Sequence, residues 1–245
     1  IHSNLPWLYP NDVPGGKIKF LLQKLFTNLS IKVSEKIIVD SKTAKKELIE
    51  VFPNIADKTE MIYLGLNEKI FKIKKDLPIN FDNRINIKKE NYFLTIASAV
   101  SYHCLKELII GFNQFLLQTK NDTKLLLISK NLNNIYFKEI EELITHLQYK
   151  DRVILLDDVD RKLIPKIYSN AELYIFPSYC EVFGFTNLEA MLCGTPVLTS
   201  KLSAMPEICG EAAIYFDPRD PDDIKEKIIS LYSNVKIKNE LIEKG

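Results

Sequence analysis

The chain has 245 residues, 46% of them hydrophobic and 27% charged, with a formal net charge of +1. These values describe a folded globular protein and exclude a disordered or fibrous chain; near neutrality gives no basis for a nucleic-acid partner. The longest apolar runs, such as Leu108 to Ile110 and Val153 to Leu156, are far too short to span a bilayer.

In chain order, a Pro-rich loop from Leu5 to Pro14 and the pair Gly15-Gly16 precede a helix from Lys17 to about Leu29. The lysines and apolar face of the Lys17 to Lys32 segment suit an ordinary amphipathic helix packed on its own domain, or contact with anionic lipid. Lys36 to Val39 reads as a buried strand, and Ser41 caps a helix through about Val51, closed by Pro53. Glu60 to Leu64 reads as a second strand ending at Gly65. Asn67 to Asn91 has no clear periodicity and reads as a linker between domains.

Beyond it the alternation is regular. Strands are expected at Tyr92 to Ile96, Lys124 to Ile128, Arg152 to Leu156, Ala171 to Phe176, Pro196 to Thr199 and Ala213 to Phe216. Helices fit Leu105 to Gln118, Ile135 to Gln148, Arg161 to Ser169, Asn187 to Cys193 and Pro221 to Ser233. Strands apolar nearly throughout, separated by amphipathic helices, imply a doubly wound α/β domain with a parallel sheet covered on both faces. The segment ahead of the linker holds too little sheet to stand alone. The expected organisation is therefore a remnant of a second Rossmann-like domain (1–66), a linker (67–91) and a nearly complete α/β domain (92–245) whose final helix is cut short. The four cysteines, Cys104, Cys180, Cys193 and Cys209, are widely spaced and read as small hydrophobes in a reducing cytoplasm.

The densest chemical signal runs from Phe176 to Val197: a strand end, a loop carrying Glu181 and Gly184, a short helix carrying Glu189, a stop at Gly194, and another strand. Ligands of open parallel sheets bind beyond the carboxyl ends of the strands. Gly184 lets the backbone approach a ligand closely, and the amides of Phe185 to Asn187 lie at a helix start that favours phosphate. Glu189, about one turn in, can accept hydrogen bonds from a diol such as ribose, and Glu181 can reach a neutral polar ligand beside the phosphates. Two carboxylates next to an anion site require a ligand that also supplies hydroxyl donors, as a nucleotide sugar does.

The segment from Ser178 to Pro218 resembles the signature of glycosyltransferase group 1, the retaining family 4 enzymes of GT-B fold. It has Glu181, seven residues, then Glu189, followed by the Gly194-Thr195-Pro196-Val197 strand and the Met205-Pro206-Glu207 turn. The resemblance implies that Glu181 contacts the transferred sugar, that Glu189 holds the ribose hydroxyls, and that backbone amides near Phe183, Gly184, Phe185 and Thr186 hold the sugar and diphosphate. Asp157 to Leu163 resembles the base-side loop, with Val159 as a donor contact, and Ile1-His2-Ser3 resembles the loop that places a histidine near the donor sugar. Catalytic roles thus fall to Glu181 and His2. The chain departs from the family after Ile96: where a Gly-Arg or Gly-Ser pair and then Arg-Lys neutralise the departing diphosphate, it has Ala97-Ser98 and Tyr102-His103-Cys104. Ser98 and His103 are the donor contacts expected there. A protonated His103 can substitute in part, and Lys106 can reach in from the next helix.

Asp158-Val159-Asp160 spells the metal-binding DxD of the other large glycosyltransferase architecture, yet it stands between a strand and a helix start, where aspartates favour turns. The acidic run from Asp217 to Asp223 lacks the order and glycine of a calcium loop. No metal or other cofactor is expected.

The expected activity is retaining transfer of a sugar from a UDP- or GDP-sugar to a glycan or lipid-linked acceptor hydroxyl, in the cytoplasm or at the inner membrane face. The rival readings are a catalytically impaired nucleotide-sugar-binding homologue and a phosphate-binding α/β enzyme such as an epimerase.

Overall fold

The structure, a computed structural model, describes residues 5–10, 16–74, 91–130 and 135–245. It contains a two-stranded and a six-stranded sheet, both parallel throughout.

The first part opens with a one-turn helix α1 (Leu5–Leu8), where the sequence suggests only a loop, and the long helix α2 (Gly16–Val33). Strands β1 (Ile37–Val39) and β2 (Thr59–Met61) pair with Ile37 opposite Thr59, joined by helix α3 (Lys42–Val51). Ser41 caps α3 as expected, its hydroxyl accepting from the Ala44 amide at 3.0 Å. Ala44 and Leu48 bury their side chains with Ile37, Val39 and Ile55 in a small core. β2 is shorter than the Glu60 to Leu64 run implies. The apolar stripe of α2, including Ile18, Leu21, Leu25, Phe26 and Leu29, stays exposed among the described residues.

Residues 75–90 of the expected linker lie outside the described residues. Its first part is docked: the Lys74 amide donates to Ser169 Oγ at 2.9 Å, and the Phe71 ring meets Tyr168 edge-on.

The large sheet comprises β3 (Tyr92–Ile96), β4 (Lys124–Ile128), β5 (Val153–Leu156), β6 (Leu173–Phe176), β7 (Val197–Ser200) and β8 (Ala213–Phe216), in the order β5-β4-β3-β6-β7-β8. All six strands coincide with apolar runs expected from sequence. Because both faces are covered, alternate residues feed two separate cores. Tyr92, Leu94, Leu126, Ile154 and Tyr174 fill one; Phe93, Leu125, Leu127, Leu173 and Ile175 fill the other.

Helices α4 (Leu105–Thr119), α5 (Ile135–Thr145), α6 (Ile164–Asn170), α7 (Phe185–Leu192), α8 (Met205–Cys209), α9 (Pro221–Tyr232) and α10 (Val235–Lys244) complete the unit. Gly111 lets α4 and α9 approach closely: a Cβ there would stand 2.7 Å from the Pro221 carbonyl oxygen. α6 starts three residues later than the sequence suggests, because 160–163 form a turn closed by the Leu163 amide on the Asp160 carbonyl at 2.8 Å. The Pro-Glu turn opens a short helix, and a further helix follows Ser233, where the sequence reading assigned no element. Pro206 sits in the first turn of α8, and Asn234 caps α10 through the Ile237 amide at 3.1 Å.

Chain order runs outward from β3 to β5, returns to β6 beside β3, and runs outward again to β8. The carboxyl ends of β3 and β6 therefore flank the switch point, where diverging loops open a crevice.

Candidate functional site

A cleft of about 900 Å³ opens at that switch point. From β3 come Ile96, Ala97, Ser98 and His103; from β6 and the start of α7 come Phe176, Glu181, Phe183, Gly184, Phe185, Thr186 and Glu189. The loops after β4 and β5 contribute Lys130, Asp157, Asp158, Val159 and Arg161, while Asp40 and Leu64, beyond the ends of β1 and β2, belong to the smaller sheet. The structure brings Ser98, His103, Val159, Glu181, Phe183, Gly184, Phe185, Thr186 and Glu189 together in this one cleft. His2 lies outside the described residues.

Gly184 ends the loop after β6 at φ +79°, a conformation L side chains rarely adopt, and a Cβ there would meet Met205 Cε at 2.5 Å. The glycine thus lets α7 begin tight against α8, with the Phe185 and Thr186 amides in its first turn. The Asn187 amide, grouped with them from sequence, donates to the Gly184 carbonyl at 3.1 Å and is not available to a ligand.

Glu181 is held on several sides. Its amide donates to Ser203 Oγ at 3.0 Å, its carbonyl accepts from the same hydroxyl at 2.6 Å, and Ser178 Oγ donates to Oε1 at 3.3 Å. His103 Nε2 lies 3.0 Å from Oε1, and Nδ1 lies 2.7 Å from the Ser98 carbonyl oxygen. A carbonyl only accepts, so Nδ1 carries a proton. Both ring nitrogens are thus engaged, and His103 orients Glu181. Its placement depends on Cys104, which turns the chain through the left-handed region at φ 45°, ψ 39° between the short Ser101–His103 turn and α4.

Glu189 projects from α7 into the same space. Tyr168, fully buried, donates its hydroxyl to Oε2 at 3.0 Å. Burial raises the Glu189 carboxyl above its ordinary value, and the tyrosine hydrogen bond only partly offsets that rise.

Lys106 does not reach in: its Nζ bonds Glu139 Oε2 at 2.8 Å and lies 5.1 Å from the Tyr136 ring centre, drawn to acceptors on α5. Among the described residues, the lysine and arginine that line the cleft are Lys130 and Arg161, which the sequence reading did not single out. Each lies a few residues beyond a strand end, the only local signal available. Asp158 and Asp160 behave as turn residues, Oδ1 of each accepting at 2.9 Å from the amides of Val159 and Lys162 respectively.

A doubly wound parallel sheet with a cleft at its switch point, and a smaller parallel sheet supplying residues to the same cleft, is the arrangement of the GT-B fold. Residues 79–245 match the family model of glycosyl transferases group 1, and the chain belongs to that family. It is 30% identical over 200 residues to an uncharacterized glycosyltransferase of Methanocaldococcus jannaschii, covering 80% of this chain and 50% of that protein. It is 26% identical over 221 residues to the O-antigen chain mannosyltransferase RfbU of Salmonella typhimurium, covering 90% of this chain and 56% of that one. The chain thus spans about half the length of these relatives. Among solved structures, the Anabaena protein Alr3699/HepE in complex with UDP-glucose superimposes with a TM-score of 0.79 at 19% identity, over 97% of this chain and 63% of that one. No helix among the described residues is long and apolar enough to cross a membrane.

Proposed function

We propose that this chain carries the donor side of a hexosyltransferase that moves a sugar from a nucleoside-diphosphate donor to an acceptor hydroxyl, with retention of anomeric configuration. The observation that carries this reading is the placement of Glu181 and Glu189 in one cleft on either side of the start of α7. The donor lies along the sheet edge: its base toward the loops after β4 and β5, its ribose at Glu189, its diphosphate at the first amides of α7, and its sugar at Glu181. In the reaction the bond between the anomeric carbon and the diphosphate oxygen breaks, a bond to the acceptor oxygen forms, and the acceptor proton is released. Charge growing on the leaving diphosphate meets the helix start, with Lys130 and Arg161 adding positive charge from the base side of the cleft, a preorganised electrostatic role that needs no bound metal. Removing one such donor or cation from a site typically costs about 3 kcal/mol of transition-state stabilisation. Retention follows from the family resemblance. The mannosyltransferase named among the relatives supports a hexose and a role in glycan synthesis. The acceptor in this reading is a glycan or lipid-linked hydroxyl met in the cytoplasm or at the inner membrane face.

The test is a thermal-shift panel of UDP-, GDP- and ADP-sugars, with release of free nucleoside diphosphate as the second readout. The matching donor raises Tm by mass action. Glu181→Ala abolishes release while keeping the shift, and Arg161→Ala or Lys130→Ala lowers both. No shift with any nucleotide sugar overturns the reading. His103 engaged by Glu181, where the family carries cations beside β3, also fits a binding protein without turnover. In that case the shift appears and nucleotide release is absent from the wild type.

A further inference from the structure

Helix α8 carries a carboxylate that the donor reading leaves without a role. Glu207 Oε1 accepts from the Lys42 amide at 2.7 Å and from the Tyr63 hydroxyl at 2.8 Å. Its Oε2 accepts from both the amide and the hydroxyl of Thr43, each at 2.7 Å. All four donors belong to the smaller-sheet part of the chain, while Glu207 belongs to the large-sheet unit. The two amides are first-turn N–H groups of α3, which the helix cannot satisfy internally, and the helix start favours negative charge. Ser41 satisfies the Ala44 amide from within the same segment, so Glu207 completes the cap from across the interface.

The bonded segments adjoin the cleft. Asp40 precedes the Ser41 cap and Leu64 follows Tyr63, and both line it. The Tyr63 ring lies 6.4 Å from that of Phe183, in the loop between Glu181 and Gly184, and Val182 packs against the small core beneath β1. One carboxylate thus holds, at a single point, the segments that bring the smaller sheet to the cleft and the ring that touches the donor loop.

We infer that Glu207 is a positioning residue, a latch that fixes the smaller-sheet unit against the large-sheet unit and so sets the width of the donor cleft. Its effect on the donor rests on the function proposed above; the latch itself does not.

The experiment compares wild type with Glu207→Gln, whose amide nitrogen turns one accepting end into a donor facing donors, and with the milder Tyr63→Phe, which removes one of the four bonds. Hydrogen exchange at the Lys42 and Thr43 amides, and the distance between fluorophores at exposed Lys46 and Ser230, are read without any nucleotide. Half-saturation by the matched nucleotide sugar is read separately. Glu207→Gln is expected to speed exchange at those two amides at least tenfold, lengthen the label distance, and raise the half-saturation concentration about tenfold with a smaller change in maximal rate. Tyr63→Phe gives the same pattern at about threefold. If exchange accelerates but distance and half-saturation stay put, Glu207 is only a helix cap and the latch is overturned. If the wild type itself shows no nucleotide saturation, the donor reading fails. The latch then stands on a lengthened label distance and falls on an unchanged one.

Discussion

At the scale of single residues, the two signature carboxylates occupy different environments despite their shared motif. Glu181 meets a histidine whose other nitrogen is committed to a carbonyl, so the contact fixes the carboxylate's orientation. Glu189 meets only a neutral tyrosine hydroxyl and is half buried, so its carboxyl is raised above the ordinary value of 4.5. The sign follows directly. As pH falls from neutral toward 4.5, Glu189 takes up a proton before an exposed glutamate would, and it loses an acceptor that a ribose diol needs. Binding of free UDP or GDP, followed by titration calorimetry, is therefore expected to weaken across that window. Glu189→Gln is expected to bind weakly at every pH with the pH dependence flattened. An unchanged pH profile in the variant would remove Glu189 from the ribose site.

At the scale of elements, the start of α7 is set by one backbone conformation. Gly184 combines a positive φ with a contact that leaves no room for a Cβ against Met205. Gly184→Ala is expected to cost about 2 kcal/mol, from left-handed backbone strain together with overpacking of a flexible methionine end. Because the strain falls on the loop carrying Phe183 and the first amides of α7, nucleotide affinity is expected to fall by more than global stability explains. Chemical denaturation and calorimetry on the same variant separate the two effects. A loss of stability with unaltered nucleotide binding would argue that the helix start does not hold the diphosphate.

At the scale of the whole molecule, contact between the two sheets depends on a carboxylate that must stay ionised. Burial alone would raise Glu207, but hydrogen bonds from the Thr43 hydroxyl, the Lys42 and Thr43 amides and Tyr63 outweigh it and hold the carboxyl below 4.5. A depressed native value means that the stabilisation is fully present above the unfolded value and is lost as pH falls through the native one. The Tm difference between wild type and Glu207→Gln is expected to be constant from neutral pH down to about 4.5 and to shrink in more acid solution. A difference that persists unchanged in acid would show that the ionised carboxylate is not the stabilising species.

Much of this was legible in the residues. Runs such as Leu125–Ile128 and Val153–Leu156 are apolar at every position because a doubly covered parallel strand buries both faces, so local composition alone marks them. The loop-to-helix signature from Glu181 to Glu189 was equally visible, since its glycine, helix and carboxylates are all local. What the chain order could not supply is which strand ends become neighbours. The order β5-β4-β3-β6-β7-β8 brings Lys130 and Arg161 to the cleft that Glu181 and Glu189 line, whereas nearness in sequence favoured Lys106, whose Nζ pairs with Glu139. Glu207 reads as the end of a Pro-Glu turn, and only the packing of two sheets gives it four donors from the chain's first part. Sequence determined which elements form, because backbone preference and burial are set by neighbours along the chain. Tertiary structure alone decided which charges meet, because a Coulomb or hydrogen-bonding partner is defined by distance in space.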